Sequence, residues 1–78
     1  MFRMSLRDEQ KRAKRTRILA AAEHQFATLG FEAATVRAIA KEAGVGLGTV
    51  LLYFESKHAL LLEVWRERVL ARGLAGPE

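Results

Sequence analysis

Gly44-Val45-Gly46-Leu47-Gly48-Thr49-Val50 is the stretch of this 78-residue chain whose residue types and spacing best suit chemistry. Alternating glycines fit two different tasks. They can wrap backbone amides around a phosphate, or they can turn the chain between two short helices that dock on DNA. The phosphate loop fails on spacing. Gly44-x-Gly46-x-Gly48 lacks the final glycine of the dinucleotide fingerprint, no strand pattern precedes it, and no Gly-Lys-Ser or Gly-Lys-Thr follows. Such loops need a strand to aim them and a long helix to hold the anion. A helix-turn-helix needs two short helices joined by a few residues, often with a glycine. Its second helix must also offer small or polar side chains at the end that enters the major groove. Ala43-Gly44-Val45 supplies the end of one helix, the turn and an apolar anchor. Gly46 and Gly48 let the backbone approach phosphate closely. Thr49 offers a hydroxyl and a methyl, for phosphate or for a thymine methyl. The competing reading, a plain glycine linker between core helices, is weakened by the short apolar-phased segments on both sides.

No other chemistry assembles. The chain has no cysteine, which removes disulfides and thiolate metal sites. His24 and His58 lie far apart without acidic neighbours at metal-ligand spacing, and are expected at the surface. No nucleophile with its base, no acid-base pair and no cofactor motif is present, so an enzyme is not expected and no cofactor is implied.

The elements around the turn read as helices throughout, with no sustained period-two alternation. Strong helix formers run from about Leu6 to Leu29, with Ser5-Leu6-Arg7-Asp8 as a capping box. Ile18, Ala22, Phe26 and Leu29 fall on one apolar stripe. Gly30 suits the left-handed residue that ends a helix, and Phe31 can fold back on the last turn. Thr35 is a good N-cap for a second helix, Val36 to Ala43, with Val36, Ile39, Ala40 and Ala43 inward. A third helix fits Leu47 to Phe54, where Val50 and Phe54 share a face. Ser56 caps a fourth that runs to about Arg72, before Gly73 and Gly76-Pro77. Phe26, Ile39, Val45, Val50, Phe54 and Leu60 are assigned to the core. Leu60, Leu61, Leu62, Val64, Trp65, Val69 and Leu70 cover more than one face of the fourth helix, more than three short neighbours can bury.

Size and charge set the remaining bounds. A chain this short buries only ~60% of its unfolded surface, yet its 50% hydrophobic content argues against disorder. No apolar run approaches the ~18 residues of a membrane span and no secretion signal is visible, so cytoplasm is the expected compartment and no membrane partner is expected. The net charge is +4 and unevenly placed. Residues 1–17 carry seven cations (Arg3, Arg7, Lys11, Arg12, Lys14, Arg15, Arg17) against Asp8 and Glu9, while the remainder is nearly neutral. A local basic patch suits a phosphate backbone, where each neutralised phosphate releases counterions. It equally suits a solvated helix face.

The chain resembles the TetR family of bacterial transcription regulators over roughly Arg15 to Trp65. The likeness rests on Arg17-Ile18-Leu19-x-Ala21-Ala22, Phe26-x-x-x-Gly30-Phe31 and Thr35-Val36-Arg37-x-Ile39-Ala40-x-x-Ala43-Gly44-Val45. It continues through Gly48-Thr49-Val50 and Tyr53-Phe54-x-Ser56-Lys57-x-x-Leu60-Leu61. The resemblance implies an all-α, three-helix, homeodomain-like helix-turn-helix DNA-binding domain plus the start of a fourth, connecting helix. Residues 1–14 would be a basic arm or helix extension and 15–56 the helix-turn-helix. Residues 57–78 would form a fourth helix leading towards a C-terminal domain absent from this sequence. It further implies a homodimer of the full-length protein on a palindromic operator of double-stranded DNA, most often as a repressor. A small-molecule effector would belong to the C-terminal domain.

Carried over by position, Thr35 caps its helix and donates to phosphate, Arg37 contacts phosphate or guanine, and Lys57 contacts phosphate. Tyr53 sets its hydroxyl on phosphate, while Gly46, Leu47, Gly48, Thr49 and Leu52 belong to the DNA-facing turn and recognition helix. The pattern departs from the family's at four places. Polar residues are usual at Gly46 and Leu47, tyrosine at Leu51, and an aromatic or histidine at Leu52. The recognition helix is therefore poor in hydrogen-bond donors. Base reading would rest on thymine methyl contacts, Thr49, Arg37 and DNA shape. The alternative is a small helical protein-interaction module in which the leucines of the third and fourth helices form the interface.

Overall fold

The computed structural model describes residues 6–71 and contains four α-helices: α1 (Leu6–Leu29), α2 (Val36–Ala43), α3 (Leu47–Tyr53) and α4 (Lys57–Ala71). No strand occurs among the described residues. α1 packs against both α2 and α4, and α3 packs on α2. The core is where these helices meet. Ile18, Ile39, Val50 and Leu60 are fully enclosed there, one from each helix, together with Ala22. Small side chains on α1 (Ala21, Ala22) and α2 (Ala40, Ala43) let the two backbones approach.

Each helix end follows from its residues. Gly30 (φ 88°) and Gly44 (φ 77°) take the left-handed conformation that costs an L side chain energy, and they end α1 and α2. After Gly44, the Val45 N–H returns to the Ala40 carbonyl at 3.0 Å, which turns the chain towards α3. Thr35 Oγ1 accepts from the Ala38 N–H at 3.0 Å and Ser56 Oγ from the Ala59 N–H at 3.1 Å, the expected N-caps of α2 and α4. Ser5 of the expected capping box lies outside the described residues, as do Arg72, Gly73, Gly76 and Pro77.

Two expectations on packing need correction. Leu29 does not continue the buried stripe of α1, being 52% exposed. The chain reverses at Gly30, and Phe31 rather than Leu29 closes that end of the helix, its ring 5.7 Å from Phe26. α3 ends at Tyr53, one residue short of the expected boundary. Phe54 is its extended C-cap (φ −140°), and its ring turns into the core with Val50. Val36, Phe26 and Val45 are half-buried against the core rather than enclosed in it. On α4 only Leu60 and Val64 are buried, and Leu62, Trp65 and Leu70 stand exposed. No described helix is long and apolar enough to cross a membrane.

Candidate nucleic-acid interface

The α2–turn–α3 unit has an inner and an outer side, and both follow from helical phase. Ile39, Ala40, Ala43 and Val50 fix the inner side in the core. The outer side carries the expected DNA-facing residues. Arg37 is exposed in the first turn of α2, without a hydrogen-bond or ion-pair partner among the described residues. Thr35 stands exposed at the N-cap beside it, its hydroxyl oxygen engaged by Ala38. Gly46 is the exposed N-cap of α3 in extended backbone (φ −78°, ψ 158°), and its carbonyl accepts from Thr49 and Val50.

Within α3, Gly48 is exposed, and a Cβ built on it meets nothing within 4 Å. Leu47 and Thr49 are half-buried, and Leu52 is 86% exposed, the barest large apolar side chain described. Tyr53 is half-buried with its ring 6.4 Å from Phe54. Thr35, Arg37, Gly46, Leu47, Gly48, Thr49 and Leu52 thus lie on one helix-turn-helix unit, with Tyr53 at its end.

Lys57 sits apart from this set. Its Nζ donates to the carbonyls of Phe31 (2.6 Å), Ala34 (2.9 Å) and Glu32 (3.3 Å), and it lies 4.3 Å above the centre of the Phe31 ring. The negative neighbours of this lysine in the folded chain are backbone oxygens.

The basic segment is also divided by the fold. Residues 6–14 are the helical N-terminal half of α1, where Arg7, Lys11, Arg12 and Lys14 are exposed. Arg15 instead reaches α4, pairing with Glu63 at 3.0 Å and Glu67 at 3.5 Å with its guanidinium 5.5 Å from the Phe54 ring centre. Arg17 donates from Nε to the Ala43 carbonyl at 3.3 Å. Arg3 lies outside the described residues.

α1 packs against α2 and α4, and a left-handed glycine turn joins α2 to a short α3. Residues 18–64 match the family described as bacterial regulatory proteins, tetR family. The chain belongs to the TetR family. It is 39% identical over 61 residues to the fatty acid metabolism regulator protein of Bacillus subtilis (strain 168), covering 78% of this chain and 31% of that protein. It is 43% identical over 61 residues to the HTH-type transcriptional regulator UidR of Escherichia coli (strain K12), covering 74% and 31%. With the uncharacterized HTH-type transcriptional regulator YerO of B. subtilis it shares 45% over 49 residues, covering 63% and 17%. The chain therefore spans about a third or less of the length of these relatives. No solved structure matches it significantly.

Several contacts of this TetR-family domain have no signature in local sequence. His24 has Glu42 Oε2 at 2.8 Å from its Nδ1, because α2 lies against that side of α1. Gln25 donates to the other Glu42 oxygen at 2.9 Å. The Gln25 hydrogen bond, then the bond and charge of His24, hold the Glu42 carboxyl below its ordinary pKa against an opposing desolvation. His58 is exposed, edge-on to Phe31 at 4.9 Å. No group of three or more His, Cys, Asp or Glu that could hold a metal occurs among the described residues.

Proposed function

We propose that this chain is the DNA-binding domain of a transcriptional repressor that sets α3 into the major groove of double-stranded DNA. One observation carries the reading: Arg37, Gly46, Gly48 and Leu52 are exposed on the helix-turn-helix whose inner side is locked by Ile39 and Val50. Arg37 reaches a phosphate or a guanine, Thr35 stands at the same backbone, and Tyr53 turns its hydroxyl to phosphate. Gly46 and Gly48 admit close approach of the backbone. Leu47, Thr49 and Leu52 meet base edges through thymine methyls, and DNA shape supplies further discrimination. The regulator names of the relatives support this assignment.

The same proposal includes a homodimer of the longer protein on a palindromic operator, and a C-terminal domain, reached through α4, that takes a small-molecule effector. It places the protein in the cytoplasm, assigns residues 15–56 to DNA binding, and gives the chain no catalytic function. The test is a fluorescence-anisotropy titration of duplex DNA over a salt series. Affinity should fall linearly with log salt, by ~0.9 in log K for each phosphate neutralised. Salt-independent binding, or no binding by this chain and by its longer dimeric form, overturns the reading.

A second reading is favoured by Leu62, Trp65, Val69 and Leu70, which line an apolar groove on α4. Under it the chain is a helical protein-interaction module. Light scattering that finds a tight oligomer indifferent to DNA selects that reading instead.

A further inference from the structure

α3 carries little polar chemistry. Its residues, Leu47–Tyr53, include no charged side chain and no amide. Val50 is fully enclosed in the core and fixes the phase of the helix. Gly48 and Leu52, one turn apart, therefore stand on the opposite side, with Leu51 and Thr49 flanking them. Leu51 and Leu52 are both exposed. Gly48 has no side chain and open space around it, so nothing at that position screens the two leucines, its neighbours three and four residues on. What α3 presents outward is branched aliphatic surface beside the hydroxyl of half-buried Thr49. Tyr53, with the other hydroxyl of the helix, lies one turn further on.

Set in a major groove, that surface can tell few features apart. Guanine offers two acceptors and needs a donor, while adenine pairs an acceptor with an amino donor and suits an amide. The cytosine amino group suits a carboxylate. None of these partners is on α3. The feature left is the methyl at C5 of thymine, which an aliphatic side chain meets favourably by removing apolar surface from water. Beside that methyl thymine carries an O4 acceptor, whereas cytosine carries an N4 donor. A hydroxyl is donor and acceptor at once and rotates to suit. Thr49 can therefore serve either edge, and the methyl is what discriminates. The base 5-methylcytosine bears the same methyl at the same ring position.

We propose that α3 reads pyrimidine C5-methyl groups through Leu51 and Leu52, and so binds 5-methylcytosine in double-stranded DNA as it binds thymine. The proposal rests on the DNA-binding reading and goes beyond it. Recognition becomes sensitive to cytosine methylation at a site whose base sequence is unchanged.

The test starts from the tightest duplex that this chain selects from a random pool. Each thymine is replaced in turn by deoxyuridine, and affinity is read by fluorescence anisotropy. Where uracil weakens binding, the same position is rebuilt with cytosine and with 5-methylcytosine, guanine standing opposite. Loss of one contacted methyl should weaken binding roughly fourfold, the scale of one buried CH₂ group. The gain of 5-methylcytosine over cytosine should match that of thymine over uracil. Each comparison holds the base pair constant and changes the methyl alone.

Leu51→Ala and Leu52→Ala assign the effect to residues. Both side chains are exposed, so the substitutions open no cavity in the core. At least one of them should bring both methyl ratios towards one. Uracil tolerated at every position overturns the proposal, as does 5-methylcytosine no better than cytosine at a uracil-sensitive position. Ratios unaltered in both variants and in their combination overturn it too, since the methyl would then act through DNA shape. Salt-dependent binding to the pool without enrichment of any sequence also overturns it and leaves DNA binding standing. No binding to the pool at any salt concentration removes the DNA-binding reading, and this one with it.

Discussion

Arg17 donates from Nε to the carbonyl of Ala43 across 3.3 Å, tying the first helix to the last residue of α2, one position ahead of the turn glycine. With Arg15 paired to Glu63 and Glu67, two cations of the N-terminal basic segment are engaged within the fold. Within that segment, the exposed cations available to the proposed DNA contact are Arg7, Lys11, Arg12 and Lys14. Replacing Lys11, Arg12 and Lys14 by Gln should flatten the salt dependence of duplex binding by ~0.9 for each residue that meets a phosphate. Arg15→Gln should leave that slope unchanged and lower stability by under ~1 kcal/mol, the scale of partly exposed ion pairs. Anisotropy over a salt series and thermal melts measure the two effects separately.

Gly44 and Gly48 lie in one motif and should respond oppositely to the same substitution. A Cβ meets nothing within 4 Å at either site, so space does not decide the outcome. Gly44 holds φ 77°, where alanine is strained, and Gly44→Ala should cost ~1–2 kcal/mol. Gly48 is helical, and Gly48→Ala should stabilise the free chain by ~0.5 kcal/mol through a less costly unfolded chain and better helix propensity. The added methyl should also weaken DNA binding, because it stands where the backbone is proposed to approach phosphate. Denaturant melts and anisotropy on the same two variants check both signs.

The helices were legible because each signal was local. Apolar period, Thr35 and Ser56 as caps, and Gly30 and Gly44 as stops placed both bounds of α2, the end of α1 and the start of α4 where they are observed. The exposed outer side of the α2–turn–α3 unit followed, since fixing Ile39 and Val50 inward leaves Arg37 and Leu52 outward. What local sequence could not carry was pairing across the fold. Arg15 and Arg17 counted only as part of the basic patch, because Glu63 and the Ala43 carbonyl that engage them are distant in sequence. The contacts of Lys57 with the carbonyls of Phe31 and Ala34 were not legible either, because the oxygens belong to a backbone turn, which no side-chain pattern announces. Leu29 fitted the stripe by phase, yet the chain reversal at Gly30 gave its place to Phe31.

Leu52 is 86% exposed and carries nothing for the core. Leu52→Ala should leave the melting temperature nearly unchanged, within the ~0.5 kcal/mol typical of bare surface sites. If its methyls meet a thymine, selection from a random duplex pool should show a weakened preference at one base position, by ~1 kcal/mol. Arg37→Ala provides the contrast, since loss of a phosphate contact weakens all sequences alike and lowers the salt slope, whereas loss of a guanine contact relaxes one position. Identical selected sequences for Leu52→Ala and the unaltered chain would remove this leucine from base reading.

Glu42 gives the α1–α2 contact a defined response to acid. Gln25 donates to one of its oxygens at 2.9 Å and His24 Nδ1 lies 2.8 Å from the other, and both hold the carboxyl below its ordinary value of 4.5. The unfolded chain then binds this proton more readily than the folded one. The stabilisation is complete above the ordinary value and is lost as pH falls from there through the folded value. The difference in melting temperature between the unaltered chain and Glu42→Gln should be level on the upper side of that window and close within it. The other carboxylates titrate in both proteins and cancel in the difference. Repeating the pair in a His24→Gln background isolates the Gln25 hydrogen bond, the larger of the two influences, so most of the closing should persist there. A difference that stays level through the acid limb would mean that Glu42 contributes nothing through its charge.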